Sequence, residues 1–228
     1  MDIAIRGNLV DNDSADVLRW YGWLDLVCPM DVSNALREAG GEEVTLLINS
    51  PGGDMTVGTE IYSLLRRYSG RSVALVQGFA ASAATLLLQG ATVRQAEPGA
   101  LICVHNPSLE AEGDYRDLKG AADSAKNARE AILDIYAQRS GQERGALGNL
   151  MDKDIWISAS QARDYGLVDQ VLPWDGEEDG PGTLTMVAGA GMLPRITGKM
   201  RAEYAEFIAR RRRETAVRLR QRQLELMD

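Results

Sequence analysis

Three short segments carry the residues whose chemistry matters most. Asn49-Ser50-Pro51-Gly52-Gly53 ends an apolar run, and Gly78-Phe79-Ala80-Ala81-Ser82-Ala83-Ala84 sets a serine among small residues. Ile102-Cys103-Val104-His105-Asn106-Pro107 holds the one histidine of the 228-residue chain. Hydrolysis by a serine of the Ser-His-acid type needs an imidazole that takes the serine proton and returns it to the leaving group. Only His105 can supply it. A lone histidine on an apolar strand is more commonly a hydrogen-bonded core residue than a catalyst, so its role depends on whether it meets Ser82 and an acid.

Ser82 directly follows an apolar strand pattern and opens a helical one. A hydroxyl there sits near free backbone N–H groups and the positive end of a helix dipole, which favour developing negative charge. Gly52 and Gly53 permit positive φ and close approach of another backbone, and the N–H groups of Gly53 and Ala83 are the candidate oxyanion donors. Asp152 and Asp154, either side of Lys153 and just before Ile155-Trp156-Ile157, are the candidate acids. Each segment also has a plain reading: a tightly packed helix start, a Pro-Gly turn, and aspartates that cap or solvate a helix end.

Composition narrows the classes. The chain is 45% hydrophobic and 25% charged, ordinary for a globular domain. No run approaches the ~18 apolar residues of a membrane span, and Met1-Asp2-Ile3-Ala4-Ile5-Arg6 does not read as a signal peptide; a cytoplasmic protein is expected. Two cysteines, Cys28 and Cys103, make no disulfide framework. With one histidine they also supply no zinc site of the usual kind, and no acidic cluster has the spacing of a calcium loop; neither metal nor cofactor is expected. The net charge of −8 is unevenly spread: residues 199–228 hold nine Lys/Arg and five Asp/Glu, a net of +4, which leaves −12 for residues 1–198. That acidic body argues against general nucleic-acid binding.

The elements that must position these groups follow from periodicity. Residues 2–6 alternate and read as an edge strand. A helix starts at Pro29 with Val32, Ala35, Leu36 and Ala39 on one face, ending at Gly40-Gly41. Val44–Ile48 and Val73–Val76 read as buried strands, with a helix capped by Asp54 between them. A buried helix covers about 82–89, and further strands lie at 92–93 and 101–104. The longest amphipathic pattern, 114–140, carries Leu118, Ala121, Ala122, Ala125, Ala128, Ile132, Ile135 and Tyr136 and closes at Gly141. A short helix spans about 143–151, Ser158 and Gln161 form a capping box, and residues 167–172 end the domain. Strand and helix alternate over 43–172, so a mainly parallel sheet wrapped by helices is expected. Residues 175–182 are an acidic, glycine-rich linker within a segment 173–198 of unassigned character, and 199–228 read as a charged helix with a Tyr204, Phe207, Ile208 strip and the basic turn Arg210–Arg213.

In their order, these motifs, together with Asp154-Ile155-Trp156-Ile157-Ser158-Ala159 and Tyr165-Gly166-Leu167-Val168-Asp169, resemble the ClpP family of serine peptidases over residues 1–172. Asp54 after the glycines, the doubled Ala81-Ser82-Ala83-Ala84, the His-Asn-Pro form and Pro29-Met30-Asp31-Val32 look like its phage and prophage branch, the head maturation proteases. The resemblance implies an α/β ClpP/crotonase-type ββα superhelix with a protruding handle helix near 114–140. It implies Ser82 as nucleophile, His105 as general base and acid, Asp154 as orienting acid with Asp152 as the alternative, and Gly53 and Ala83 as oxyanion donors. It also implies an extended peptide substrate beside the Gly52-Gly53 strand, a homo-oligomeric ring (a heptamer or stacked heptamers), and scaffold or capsid protein as partner. The few residues before the first strand argue against docking to a Clp-type ATPase. The alternatives are a crotonase-type acyl-CoA enzyme using the same oxyanion hole, a Ser-Lys peptidase, and a catalytically silent capsid assembly protein.

Overall fold

One sheet of eight strands, parallel at every pairing but one, carries the site. The computed structural model describes residues 1–173 and 196–225, with side chains of the last helix to residue 215. In chain order the elements are β1 (Asp2–Leu9), α1 (Asn12–Trp20), β2 (Leu26–Val27), α2 (Pro29–Ala39), β3 (Val44–Gly53), α3 (Met55–Arg67), β4 (Ser72–Ala81) and α4 (Ala83–Gly90). Then come β5 (Val93–Ala96), β6 (Leu101–Cys103), α5 (Tyr115–Ser140), α6 (Arg144–Lys153), β7 (Trp156–Ser158), α7 (Ala159–Asp164), β8 (Gln170–Val171) and α8 (Gly198–Glu225). This is the expected α/β superhelix with parallel strands and crossover helices.

The strand order is β2-β1-β3-β4-β5-β8. Strand β4 has two partners on one side: Val73–Val76 pair with β5, and Phe79–Ala81 pair with β6. The sheet therefore divides along β4, and its second half leads straight to Ser82. Strand β6 in turn pairs antiparallel with β7, setting Cys103 opposite Trp156. Residues 2–6 of β1 pair only with Thr45–Asn49 of β3, as the edge reading expects, and β2 joins the strand's other side at Asn8 and Leu9 alone. Its alternation reports burial of one face, with Ile3 and Ile5 inward, and period two says nothing about whether both edges are paired.

Helix α1 was not assigned from the sequence. Its signal was the cap: the Asp11 carboxylate accepts from the Ser14 N–H at 2.9 Å. The long helix α5 has the expected span, capped by Asp114 and closed by Gly141 in the left-handed region. Only its second half is buried, at Ile132, Leu133 and Tyr136, while Tyr115 and Leu118 are exposed. The apolar stripe of its first half thus extends past the body of this chain, as a handle. Helix α4 is the opposite case, buried at all eight residues. At ~1.5–3 kcal/mol for each fully buried leucine, Leu86, Leu87 and Leu88 pin the helix that Ser82 opens.

The charged C-terminal helix packs on the body. Tyr204 and Phe207 of α8 lie 6.1 and 5.3 Å from the Trp20 ring of α1, and the Tyr21 hydroxyl hydrogen-bonds the Glu203 carboxylate. Ile196 and Met200 cover a small second core of Val10, Ala15, Leu18, Leu26 and Cys28. The linker at 175–182 and most of segment 183–198 lie outside the described residues.

The last strand is locked by a buried cation. Arg94, 5% exposed, donates to both Asp169 oxygens, to Gln89 Oε1 at 2.6 Å and to the Gly166 carbonyl at 2.8 Å. Burial alone would raise the Asp169 carboxyl, but the Arg94 hydrogen bonds outweigh it and hold the group below its ordinary range. Asp169→Asn leaves the guanidinium uncompensated and is expected to lower stability by about 2 kcal/mol, less than a fully buried pair because the carboxylate is 40% exposed. A carboxyl depressed in the fold stabilises it above the unfolded pKa and ceases to as pH falls through the folded one. Denaturation midpoints of wild type and variant should therefore differ at neutral pH and converge below about pH 4.

Candidate active site

Ser82 stands at the junction of β4 and α4 with φ 54° and ψ −130°. A non-glycine residue at such φ is strained by roughly 1–3 kcal/mol. Among the described residues only Ser82 and Asp154 (φ 49°) share this feature, and both are candidate catalytic residues. A serine on a sharp strand-to-helix turn presents its hydroxyl outward, with the first helical N–H groups beside it. The turn is held by the Ser82 N–H, which donates to the Cys103 carbonyl at 2.9 Å, and by the Thr85 N–H, which donates to the Ser82 carbonyl at 2.9 Å.

The glycine turn approaches from β3. Gly52 has φ 89°, and a Cβ there would lie 2.5 Å from the Ala81 carbonyl oxygen and 2.8 Å from Ala83 N. Only glycine lets this backbone come so near Ser82. The buried Ser50 makes the turn possible, donating to the Gly7 carbonyl at 2.6 Å and accepting the Gly52 N–H at 3.1 Å. Asn49 Oδ1 accepts the Phe79 N–H at 3.3 Å, joining β3 to β4 where their regular register ends.

These segments enclose a cleft of about 290 Å³ lined by Gly53, Ser82, Ala83 and His105, together with Met55, Leu86, Pro107, Ile132 and Tyr136. The candidate nucleophile, the candidate base and both candidate oxyanion donors therefore share one cavity, with apolar side chains on its walls. Asp152 and Asp154 do not line it. Among the described residues no hydrogen bond joins His105 to Ser82 or to either aspartate.

The two aspartates have different partners. Asp154 ends α6 in the left-handed region, 4.0 Å from the buried Cys103 thiol on the neighbouring strand. Burial, and then the Asp154 charge, push that thiol up to about 11, so it stays protonated. Asp152 accepts from Asn106 Nδ2 at 2.9 Å and from Arg129 at 3.2 Å, and these bonds hold its carboxyl low. Arg129 Nε also donates to Asn106 Oδ1 at 2.8 Å, so the residue after His105 is clamped on both sides.

Sequence reasoning missed Thr85, Tyr136, Asn106 and Arg129. Thr85 is fully buried, and its hydroxyl lies 2.6 Å from both the Ser82 carbonyl and the Tyr136 hydroxyl. The usable signals were a hydroxyl residue among the alanines and leucines of α4 and a tyrosine on the apolar stripe of α5. Among the described residues no group of three His, Cys, Asp or Glu side chains converges as a metal site.

Comparison with known proteins places this arrangement in context. A family model described as Clp protease matches residues 34–174. ATP-dependent Clp protease proteolytic subunit 1 of Streptomyces avermitilis is 37% identical over 132 residues, 57% of this chain and 61% of that protein. Proteolytic subunit 3 of Streptomyces coelicolor is 36% identical over the same shares, so the matched region spans about three fifths of each of these relatives. Proteolytic subunit 1 of Chlamydia abortus is 29% identical over 168 residues, 72% of this chain and 82% of that one. A solved structure of a mutant ClpP1 from Listeria monocytogenes superposes with a TM-score of 0.62 at 22% identity, over 76% of this chain and 92% of that chain, a likeness of fold.

Proposed function

The chain belongs to the Clp protease family, and from that premise we propose that it is a serine endopeptidase with Ser82 as nucleophile and His105 as proton carrier. The observation that carries this reading is the meeting of a strained Ser82, His105 and the backbone of Gly53 and Ala83 around one cleft. In the proposed reaction Ser82 Oγ attacks a peptide carbonyl while His105 takes its proton. The oxyanion is held by the N–H groups of Gly53 and Ala83, and His105 returns the proton to the leaving amine. Water then hydrolyses the acyl-enzyme by the same route in reverse. Asp154 orients the imidazole, with Asp152 as the alternative acid.

Within the family we assign the chain to the phage and prophage branch, acting on scaffold or capsid protein as a heptameric ring. The motif forms around Asp54, Ser82 and His105 support this reading. The exposed apolar stripe of α5 offers a surface for ring association, and Arg210–Arg213 on α8 offers a contact for an acidic partner. No described helix is long and apolar enough to cross a membrane.

Labelling by a fluorophosphonate probe, with the modified residue mapped by mass spectrometry, tests the assignment. Covalent modification of wild type at Ser82, and its loss in His105→Ala, is the expected result. An unlabelled wild-type protein would point to an acyl-CoA enzyme or a silent assembly protein; labelling that survives His105→Ala would point to a Ser-Lys enzyme.

A further inference from the structure

Helix α5 touches the proposed nucleophile and the proposed base through separate polar struts. Arg129, Ile132, Tyr136 and Arg139 recur at i, i+3, i+7 and i+10 and so share one helical face. At one end of that face Arg129 grips Asn106, the neighbour of His105, and with it Asp152. In the middle, the fully buried Tyr136 hydroxyl meets Thr85. At the far end Arg139 donates to the carbonyls of Gln89 and Ala91 at 2.7 Å each, at the C-terminus of the helix that Ser82 opens. Ile132 lines the cleft between the struts.

The middle strut has a definite chemical consequence. Threonine has one hydroxyl proton, and geometry gives it to the Ser82 carbonyl at 2.6 Å. The Tyr136 hydroxyl is then the donor to Thr85. The Ser82 carbonyl and the Ala83 N–H belong to one planar trans peptide and point in opposite directions. Whatever fixes the carbonyl therefore fixes the direction of the N–H proposed to bind the oxyanion. Burial raises the Tyr136 phenol and keeps it neutral, as a donor must be.

We propose that Tyr136 and Thr85 are positioning residues that aim the Ala83 N–H, and that Arg129 holds the His105 loop from the same helix face, so that α5 sets the geometry between oxyanion donor, nucleophile and base. This rests on the peptidase assignment above. The strained peptide after Ser82 has no reason of its own to keep one orientation; two bonds on its carbonyl, backed by a buried phenol, supply it.

The test is turnover of a dipeptide p-nitroanilide and the rate of fluorophosphonate labelling at Ser82, with denaturation midpoints measured alongside. Thr85→Val and Tyr136→Phe keep shape and lose only hydroxyls. Each is expected to lower kcat about tenfold or more with KM within about twofold, since oxyanion contacts act mainly in the transition state. Labelling should slow in parallel, and Thr85→Ser, which restores the hydroxyl, should recover most of the rate. Arg129→Met should lower kcat by a similar factor. Unchanged kcat and labelling in Thr85→Val and Tyr136→Phe, with wild type labelled normally, would overturn the proposal alone. So would a loss of kcat that merely tracks the fraction of unfolded protein. A wild-type protein that is not labelled at Ser82 would overturn the peptidase assignment, and this proposal with it.

Discussion

Replacing Ser82 by alanine is expected to lower peptide hydrolysis by ~10⁴-fold or more while leaving the fold intact. The fold should survive because the Ser82 hydroxyl makes no hydrogen bond among the described residues, and because alanine at φ 54° carries the same backbone strain as serine. The leucines that pin α4 are untouched, so the denaturation midpoint should move little. Activity should collapse because the oxyanion donors, however well aimed, have no attacking oxygen to serve. His105→Ala should cost about as much, and the double variant little more than either, since residues that act as a unit are not additive. Turnover of a peptide anilide by the three proteins, each checked for folding, decides the matter; a Ser82→Ala protein as fast as its parent removes Ser82 from the mechanism.

What the sequence disclosed followed the range of the interaction involved. Strand and helix periods are local, so β3, β4, α3 and α5 were legible from Val44–Ile48, Val73–Val76, the Asp54 cap and the stripe ending at Gly141. The Gly52 turn and Ser82 at a helix start were also legible, because special backbone geometry demands special residues nearby. Strand order was not: nothing in residues 2–6 names their partner Thr45–Asn49, or shows that Asn8 and Leu9 also pair with Leu26–Val27, because these segments are far apart in sequence. Helix α1 was hidden because its cap has the composition of a loop. The Tyr136–Thr85 contact spans 51 residues and the Arg129–Asn106 contact 23. Each partner alone reads as core or as surface charge, and only the folded chain brings them together. The exposed stripe on the first half of α5 shows the opposite limit: amphipathicity announces that a face will be covered, without saying by what.

The two aspartates are where motif and geometry must be weighed against each other, and substitution separates them. Asp152 is already engaged: one oxygen receives both Asn106 and Arg129, and its carboxyl is held low by them. To reach His105 it would have to abandon a clamp that itself orders the histidine loop. Asp154 has a weaker tie, a protonated thiol at 4.0 Å, and it occupies a strained left-handed position that closes α6. A carboxylate that exchanges a distant thiol for an imidazolium gains a charge-assisted bond, so the free-energy slope favours Asp154. Asp154→Asn is therefore expected to lower kcat by ~10⁴-fold, the scale seen when the acid of a Ser-His-Asp triad is replaced by its amide. Asp152→Asn should cost only about tenfold, through loosening of Asn106 and Arg129. Cys103→Ala supplies the control, since removing the thiol leaves Asp154 able to turn towards the histidine and should not abolish turnover. If instead Asp152→Asn carries the large loss and Asp154→Asn the small one, the acid is Asp152, and the Asn106–Arg129 clamp must open before each catalytic cycle.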